Sequence, residues 1–400
     1  MDAAARHARD RRAVRKIDYP RGVGAAVRRS DAPTAHAAMT PTPLSSAGAS
    51  AAIPTIDWPD AARRAAFEHW LATLGSHAID ALTLRPASAD ASFRRYLRVD
   101  AAGGPSLIVM DAPPPQEDVR PFVEIAGRLE RAGLAAPRVL AHDAEHGFVL
   151  LTDLGERSYL AALQHAAAAG DAKAVNASMN DAFATLIDWQ RRIDPAGLPP
   201  YDDALLRREL ALFPEWCVER ERGLRWNADE LAVWQGACDQ LVASALAQPR
   251  LAVHRDYMPR NLMLTPDGPA ILDFQDAVAG PIAYDAASML RDAFISWDEE
   301  QEIDWAVRYW ERARKAGLPV DADFGEFWRQ LEWIGLQRHL KVLGIFCRLK
   351  HRDTKPAYAS DLPRFFAYAR RVASRYRIFG PLQLLLDAVE GHESVVGYTF

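Results

Sequence analysis

Lysine is scarce in this 400-residue chain: six occur, and none lies between Lys16 and Lys173. Nothing folded from that interval can hold a ligand with an ammonium group, and arginine carries almost all the positive charge. Cysteine is scarce too. Cys217, Cys238 and Cys347 are odd in number and far apart, which excludes a disulfide framework and gives no metal-ligand spacing; reduced, buried thiols are expected. No apolar run approaches the ~20 residues that span a bilayer. The basic N-terminus lacks the apolar segment of a secretory leader. A net charge of −5 leaves no footprint for nucleic acid, whose recognition calls for a clustered basic surface. The expectation is a cytoplasmic globular protein with neither a nucleic-acid nor a membrane partner; oligomeric state is not legible.

The composition is that of a chain with real cores, 49% hydrophobic and 25% charged, and its length calls for two structural units. Residues 1–50, rich in Ala, Arg, Pro, Ser and Thr and without periodicity, read as a disordered tail. Met39 offers an alternative start within it. Residues 51–152 open with a helical pattern over Asp60–Leu74. Strands then follow at Leu82–Pro86, Arg94–Val99 and Ser106–Met110, a helix at Pro121–Ala132, and a strand pair at Val139–His142 and Phe148–Thr152. Residues 153–400 read as helical except Leu251–Asp273, where LMLT-PDG-PAILDF has a hairpin pattern. The predicted class is α+β: a small antiparallel β lobe with one helix, then a larger, mostly helical lobe.

Within the exception, Val253–Asn261 reads V-H-R-D-Y-M-P-R-N, and Asp273-Phe274 follows the hairpin. This is the H-x-D-x-x-x-x-N … D-F pattern of kinase catalytic loops. Phosphoryl transfer needs a group that orients the attacking hydroxyl and a metal that neutralises the phosphates. Asp256 can accept the hydroxyl proton, and Asn261 and Asp273 can offer hard oxygens to Mg²⁺; His254 braces the loop. The triplet recurs at His351-Arg352-Asp353, but Tyr358 stands where Asn is needed and no hairpin follows, so that copy is a decoy.

The residues VHRDYMPRNLML, ILDFQDA and GPIAYDAASMLRDAF resemble the aminoglycoside phosphotransferase-like kinases, over roughly residues 80–375. SFRRYLRV, SLIVMDAPPPQEDVRPF, FVLLTDLG and QRHLKVLGIFCRL are similar, within that family, to bacterial kinases of cell-wall amino sugars. The resemblance implies a two-lobed protein-kinase-like fold and ATP as phosphate donor. It further implies transfer to the anomeric hydroxyl of N-acetylmuramate or N-acetylglucosamine in peptidoglycan recycling, with Asp285 as helix N-cap beneath the loop. A kinase of an aminoglycoside, choline or homoserine, or a nucleotide-binding pseudokinase, stays open at this point.

One departure stands out. The third strand of such kinases carries a phosphate-binding lysine, and here Met110 occupies the place. The Ala87–Phe93 turn lacks the glycines of a phosphate loop. Ser92, Phe93, Arg94 and Arg95 are the candidates there, an arginine replacing the lysine; Glu124 stands where such kinases keep an ion-pairing acid, or, with no lysine to pair, is a solvated helix residue. Thr152 and Leu154 belong to a hinge that can read adenine. On the sugar side, Trp333, Gln337 and Lys341 share one helical face: the indole can stack on a sugar ring or pack into the core, and Lys341 or Arg338 can meet a lactyl carboxylate. Arg291 and Asp292 complete the candidate list, as substrate contacts or as a structural ion pair.

Overall fold

In the computed structural model, which describes residues 56–89 and 93–391, Asp60 caps the first helix by accepting the Arg63 N–H at 2.7 Å. The expected tail over residues 1–50, and Ser92, lie outside the described residues. That helix, α1 (Ala61–Ala72), buries Phe67, Trp70 and Leu71. Five strands follow: β1 (Ile79–Ala89), β2 (Arg95–Ala101) and β3 (Leu107–Asp111), then, after helix α2 (Arg120–Arg131), β4 (Val139–Asp143) and β5 (Phe148–Thr152). They form one antiparallel sheet in the order β1-β2-β3-β5-β4.

Alternation along the strands gives the sheet two uses. Leu97, Val99, Leu107, Val109, Phe148 and Leu150 point outward and pack with α1. Met110, Val149 and Leu151 point inward and join the core of the rest of the protein, with Tyr96 and Ile108 packed against it. Pro121 sits in the first turn of α2, where its missing N–H costs nothing. Phe122 reaches Phe274 at 4.8 Å between ring centroids.

After β5 come α3 (Tyr159–Ala168), α4 (Ala172–Arg192), α5 (Asp203–Leu210), a π-helical segment at Phe213–Glu221, and α6 (Ala228–Leu246). The catalytic-loop region holds β6 (Arg250–Val253), the expected hairpin β7 (Leu262–Thr265) and β8 (Gly268–Ile271), and β9 (Val278–Pro281). The pairing of β9 with β6 was not foreseen: V-A-G-P is four residues with one β-branched side chain, too little for a strand signal. Helices α7 (Tyr284–Leu290), α8 (Glu299–Lys315), α9 (Phe324–His351), α10 (Leu362–Arg375) and α11 (Gly380–Glu390) complete the chain.

Helix α9 runs through the middle of the helical lobe, and every residue from Leu331 to Lys341 is buried. It lies so close to the start of the π-helical segment that a Cβ on Gly344 would collide with the Leu212 carbonyl group. Among the described residues, no helix is long and apolar enough to cross a membrane.

Candidate active site

The loop after β6 is fixed before any ligand arrives. Trp189 donates its indole N–H to Ala252 O at 2.9 Å, and Tyr257 its hydroxyl to Ala182 O at 2.7 Å, both from or to α4. His254 is fully buried. Its Nε2 lies 2.8 Å from Leu272 O, and its Nδ1 accepts the Asp256 N–H at 3.3 Å. Burial lowers its pKa against the pull of Asp285 and Asp256, so a neutral ring braces the loop.

Asp285 corrects an expectation. It is not the N-cap of α7, where Ala283 stands, but lies in the first turn. Its carboxylate accepts the backbone N–H of His254 at 2.7 Å and of Arg255 at 3.0 Å. Burial pushes its pKa up to about 6, opposed by His254 and those two bonds. Arg255 and Asp273 both adopt positive φ, 75° and 58°, a conformation costing of order 1–3 kcal/mol each unless the surroundings over-determine it. For Arg255 they do so, since Glu209 pairs with its guanidinium while Asp285 holds its amide.

Glu209 is a residue sequence reasoning missed. It sits on α5, buried, and also binds Lys341 Nζ at 2.9 Å, Gln337 Nε2 at 3.2 Å and the Tyr201 hydroxyl. Burial alone would raise its pKa, but the charges of Lys341 and Arg255 hold it at about 2.

Three groups converge on the cleft between sheet and helices. Asp256 is 42% exposed at its side chain and lines a cavity of about 640 Å³ with Asn261 and Asp273. Asn261 donates Nδ2 to Asp256 O at 2.9 Å and to Asp273 Oδ2 at 3.3 Å, which leaves its Oδ1 as an acceptor. Gln275 Nε2 donates to Asp273 Oδ1 at 2.8 Å. No group of three or more His, Cys, Asp or Glu side chains placed to hold a metal ion occurs among the described residues. Two protein oxygens are what a magnesium ion needs when phosphates and water complete its shell.

The phosphate side separates the two arginines. Arg95 is turned to the outer face, paired with Asp111 and stacked on Trp58 at 4.6 Å, so it does not face the cleft. Arg94 pairs with Glu117 at 2.9 Å, both nearly buried, and Asp273 is among the charges acting on it. Glu117, in the loop before α2, was not anticipated. Glu124 instead makes an i,i+4 pair with Arg128. Phe93 is 68% exposed, its N–H reaching Glu117 at 3.3 Å. Met110 is buried at the vacant lysine position, across from Tyr96.

At the hinge, Thr152 and Leu154 line the cavity. The Thr152 N–H is taken by Arg138 O at 3.1 Å. Arg98, another residue missed, lines the same end and pairs with Asp153 and Glu156.

Along α9, the residues expected to share a face at Trp333, Gln337 and Lys341 do not line the cavity. Trp333 packs on Phe379 and Tyr376, at 4.7 and 5.7 Å, and Gln337 and Lys341 serve Glu209. The face that meets the cavity is Arg338, Val342, Ile345 and Phe346, joined by Tyr358 and Phe365. Arg291 is wholly buried between Glu302 and Glu332, each at 3.0 Å, so it is a structural ion pair. Asp292 is buried beside the cavity-lining Ala293, its Oδ2 without a partner and its pKa raised to about 6 by burial. The second H-R-D triplet ends α9, its His351 on Glu221 at 2.6 Å and its Arg352 on Asp353 at 2.7 Å, as a decoy would.

A sequence model described as "Phosphotransferase enzyme family" matches residues 83–324. An N-acetylmuramate/N-acetylglucosamine kinase of Pseudomonas aeruginosa is 50% identical over 313 residues, 78% of this chain and 90% of its own length. A kinase of the same name from Neisseria meningitidis serogroup B is 44% identical over 339 residues, 84% of this chain and 99% of its own. An ADP-bound aminoglycoside phosphotransferase superposes with a TM-score of 0.52 at 14% identity, over 76% of this chain and 96% of its own. Choline kinase from Cryptosporidium parvum gives 0.53 at 11%, over 79% and 95%. At such identities the structural likeness speaks for the fold alone.

Proposed function

The chain belongs to the phosphotransferase enzyme family, and from that premise we propose that it transfers the γ-phosphoryl group of ATP to the anomeric hydroxyl of N-acetylmuramate and N-acetylglucosamine. The observation that carries the chemistry is the convergence of Asp256, Asn261 and Asp273 on one cavity, and the relatives' names carry the substrate. The proposal places the protein in the cytoplasm and in peptidoglycan recycling. Residues 51–152 serve the nucleotide and residues 153–400 the sugar and the catalytic loop.

In this reading adenine lies against the hinge, where Asp153 and Leu154 offer backbone groups and Arg98 closes the end. Arg94, fixed by Glu117, meets the phosphates in place of a strand lysine. The Asn261 side-chain oxygen and the Asp273 carboxylate would hold a magnesium ion, which when bound would supply positive charge to the phosphates. Asp256 accepts the proton of the anomeric hydroxyl as O1 bonds to the γ-phosphorus. The bond from that phosphorus to the β,γ-bridging oxygen breaks, ADP leaves, and the proton passes to solvent. An anomeric hydroxyl is more acidic than an ordinary alcohol, which suits a carboxylate base.

The product is a sugar 1-phosphate and has no reducing end. Incubation with either sugar and Mg²⁺-ATP therefore removes reducing ends in step with ADP release. ADP accumulation with reducing ends intact would put the phosphate elsewhere on the ring. No ADP with either sugar would defeat the assignment.

Replacing Arg94 tests the phosphate side. Losing a charge-assisted hydrogen bond costs about 1.5–3 kcal/mol, so Arg94→Ala raises the KM for ATP by about tenfold to a hundredfold and lowers kcat. Arg95→Ala, on the outer face, leaves both steady-state constants near the parent's. Equal effects at the two positions would contradict the division.

A further inference from the structure

Of the cations on the sugar side, two are already committed. Lys341 Nζ is 2.9 Å from Glu209 Oε1 and 3.3 Å from the Tyr284 hydroxyl, and Arg291 is held between two glutamates. Arg338 is different. Its side chain is 3% exposed, yet Nε and Nη1 have no hydrogen-bond partner. Nη2 stands 3.8 Å from Asp256 Oδ1, a contact of charges rather than a hydrogen bond. Open N–H groups on a buried guanidinium cost free energy until something accepts them, and this guanidinium lines the cavity. The next turns of α9 bring Val342, Ile345 and Phe346 to the same wall, faced by Tyr358 and Phe365. On this wall the Arg338 guanidinium, with Asp256 and the buried Asp292 as its acidic neighbours, stands beside apolar side chains, a pairing that fits an acid whose carboxylate and methyl group share a carbon.

We propose that Arg338 is the receptor for the lactyl carboxylate of N-acetylmuramate, and thereby the residue that distinguishes this sugar from N-acetylglucosamine. The inference rests on the sugar 1-kinase reading and deepens it. A ring that offers its anomeric hydroxyl to Asp256 brings its acid arm toward the adjoining guanidinium, while the lactyl methyl meets the apolar wall. Arginine suits the task because its charge is permanent and its donors are fixed in a plane.

The test compares kcat/KM for three acceptors: N-acetylmuramate, its carboxamide, and N-acetylglucosamine. The parent protein uses the acid at least tenfold better than the carboxamide, a comparison that needs no variant. Arg338→Met loses about tenfold to a hundredfold more on the acid than on N-acetylglucosamine, the loss of one charged hydrogen bond. Arg338→Lys recovers part of that difference, chiefly in KM. Equal losses on acid and neutral sugar would assign Arg338 to the phosphoryl group or to Asp256 and overturn the inference, leaving the sugar-kinase reading in place. A parent that uses acid and carboxamide alike would overturn it too. A parent that phosphorylates none of the three defeats both readings together.

Discussion

Asp256→Asn lowers turnover by about 10²–10⁴-fold and leaves nucleotide affinity and melting temperature close to the parent's. Asparagine keeps the size of the side chain but cannot take a proton from the sugar hydroxyl. The loop does not depend on that carboxylate: Asn261 bonds the backbone oxygen of Asp256, and Asp285 holds the two preceding amides. The nucleotide side is equally separate, since Arg94, Glu117 and the hinge lie on the other lobe. Single-turnover kinetics with calorimetric nucleotide binding read the two effects apart. Turnover within tenfold of the parent would remove Asp256 from its role as base. A parallel loss of nucleotide binding would make it a metal ligand instead.

Glu209→Leu destabilises the protein by about 3–5 kcal/mol, the usual cost of removing one partner from a buried ion cluster. Here a single carboxylate, 5% exposed, serves both Arg255 and Lys341, and its loss strands two cations in the interior. Because Arg255 is the loop residue at positive φ, turnover falls as well. The pH dependence has a definite sign. Below its ordinary value of 4.5 the unfolded chain protonates this glutamate, whereas the folded protein resists until about pH 2. The contribution of Glu209 is therefore complete above pH 4.5 and drains away between 4.5 and 2. Urea denaturation at several pH values measures both quantities. A variant as stable as the parent, with the same acid limb, would show that Glu209 is not the counter-charge of the loop.

What the sequence made legible was local. The loop, hairpin and Asp-Phe are spaced by turn chemistry and alternation, so Asp256, Asn261 and Asp273 could be named together. The missing lysine was also visible, since it needed only the strand and its register. The choice between Arg94 and Arg95 was not. A period of two says that one of them faces the cleft, and only Asp111 and Trp58 on the outer face reveal which. Glu117 escaped because its ion pair spans a loop and 23 positions, and no periodicity links such residues. Glu209 meets its partners across 46 and 128 residues. The cavity-lining face of α9 escaped, apart from Arg338, for another reason. A helix buried on every side shows no amphipathic stripe, so polar residues at i, i+4 and i+8 identified a face but not the neighbour it meets. Asp285 was read as a cap from its position at a helix start, whereas the unpaired amides it satisfies belong to the catalytic loop.

The contact at Gly344 sets a rule for anyone who would retarget the enzyme. Because α9 presses its backbone onto Leu212 there, the helix cannot roll or slide to make room for a bulkier acceptor. Libraries spread evenly along α9 would mostly return unfolded protein, since positions 337, 341 and 344 are structural anchors. Diversity belongs at Val342, Ile345, Phe346 and Tyr358, where a change of volume reshapes the cavity wall while the shaft behind it keeps its seat.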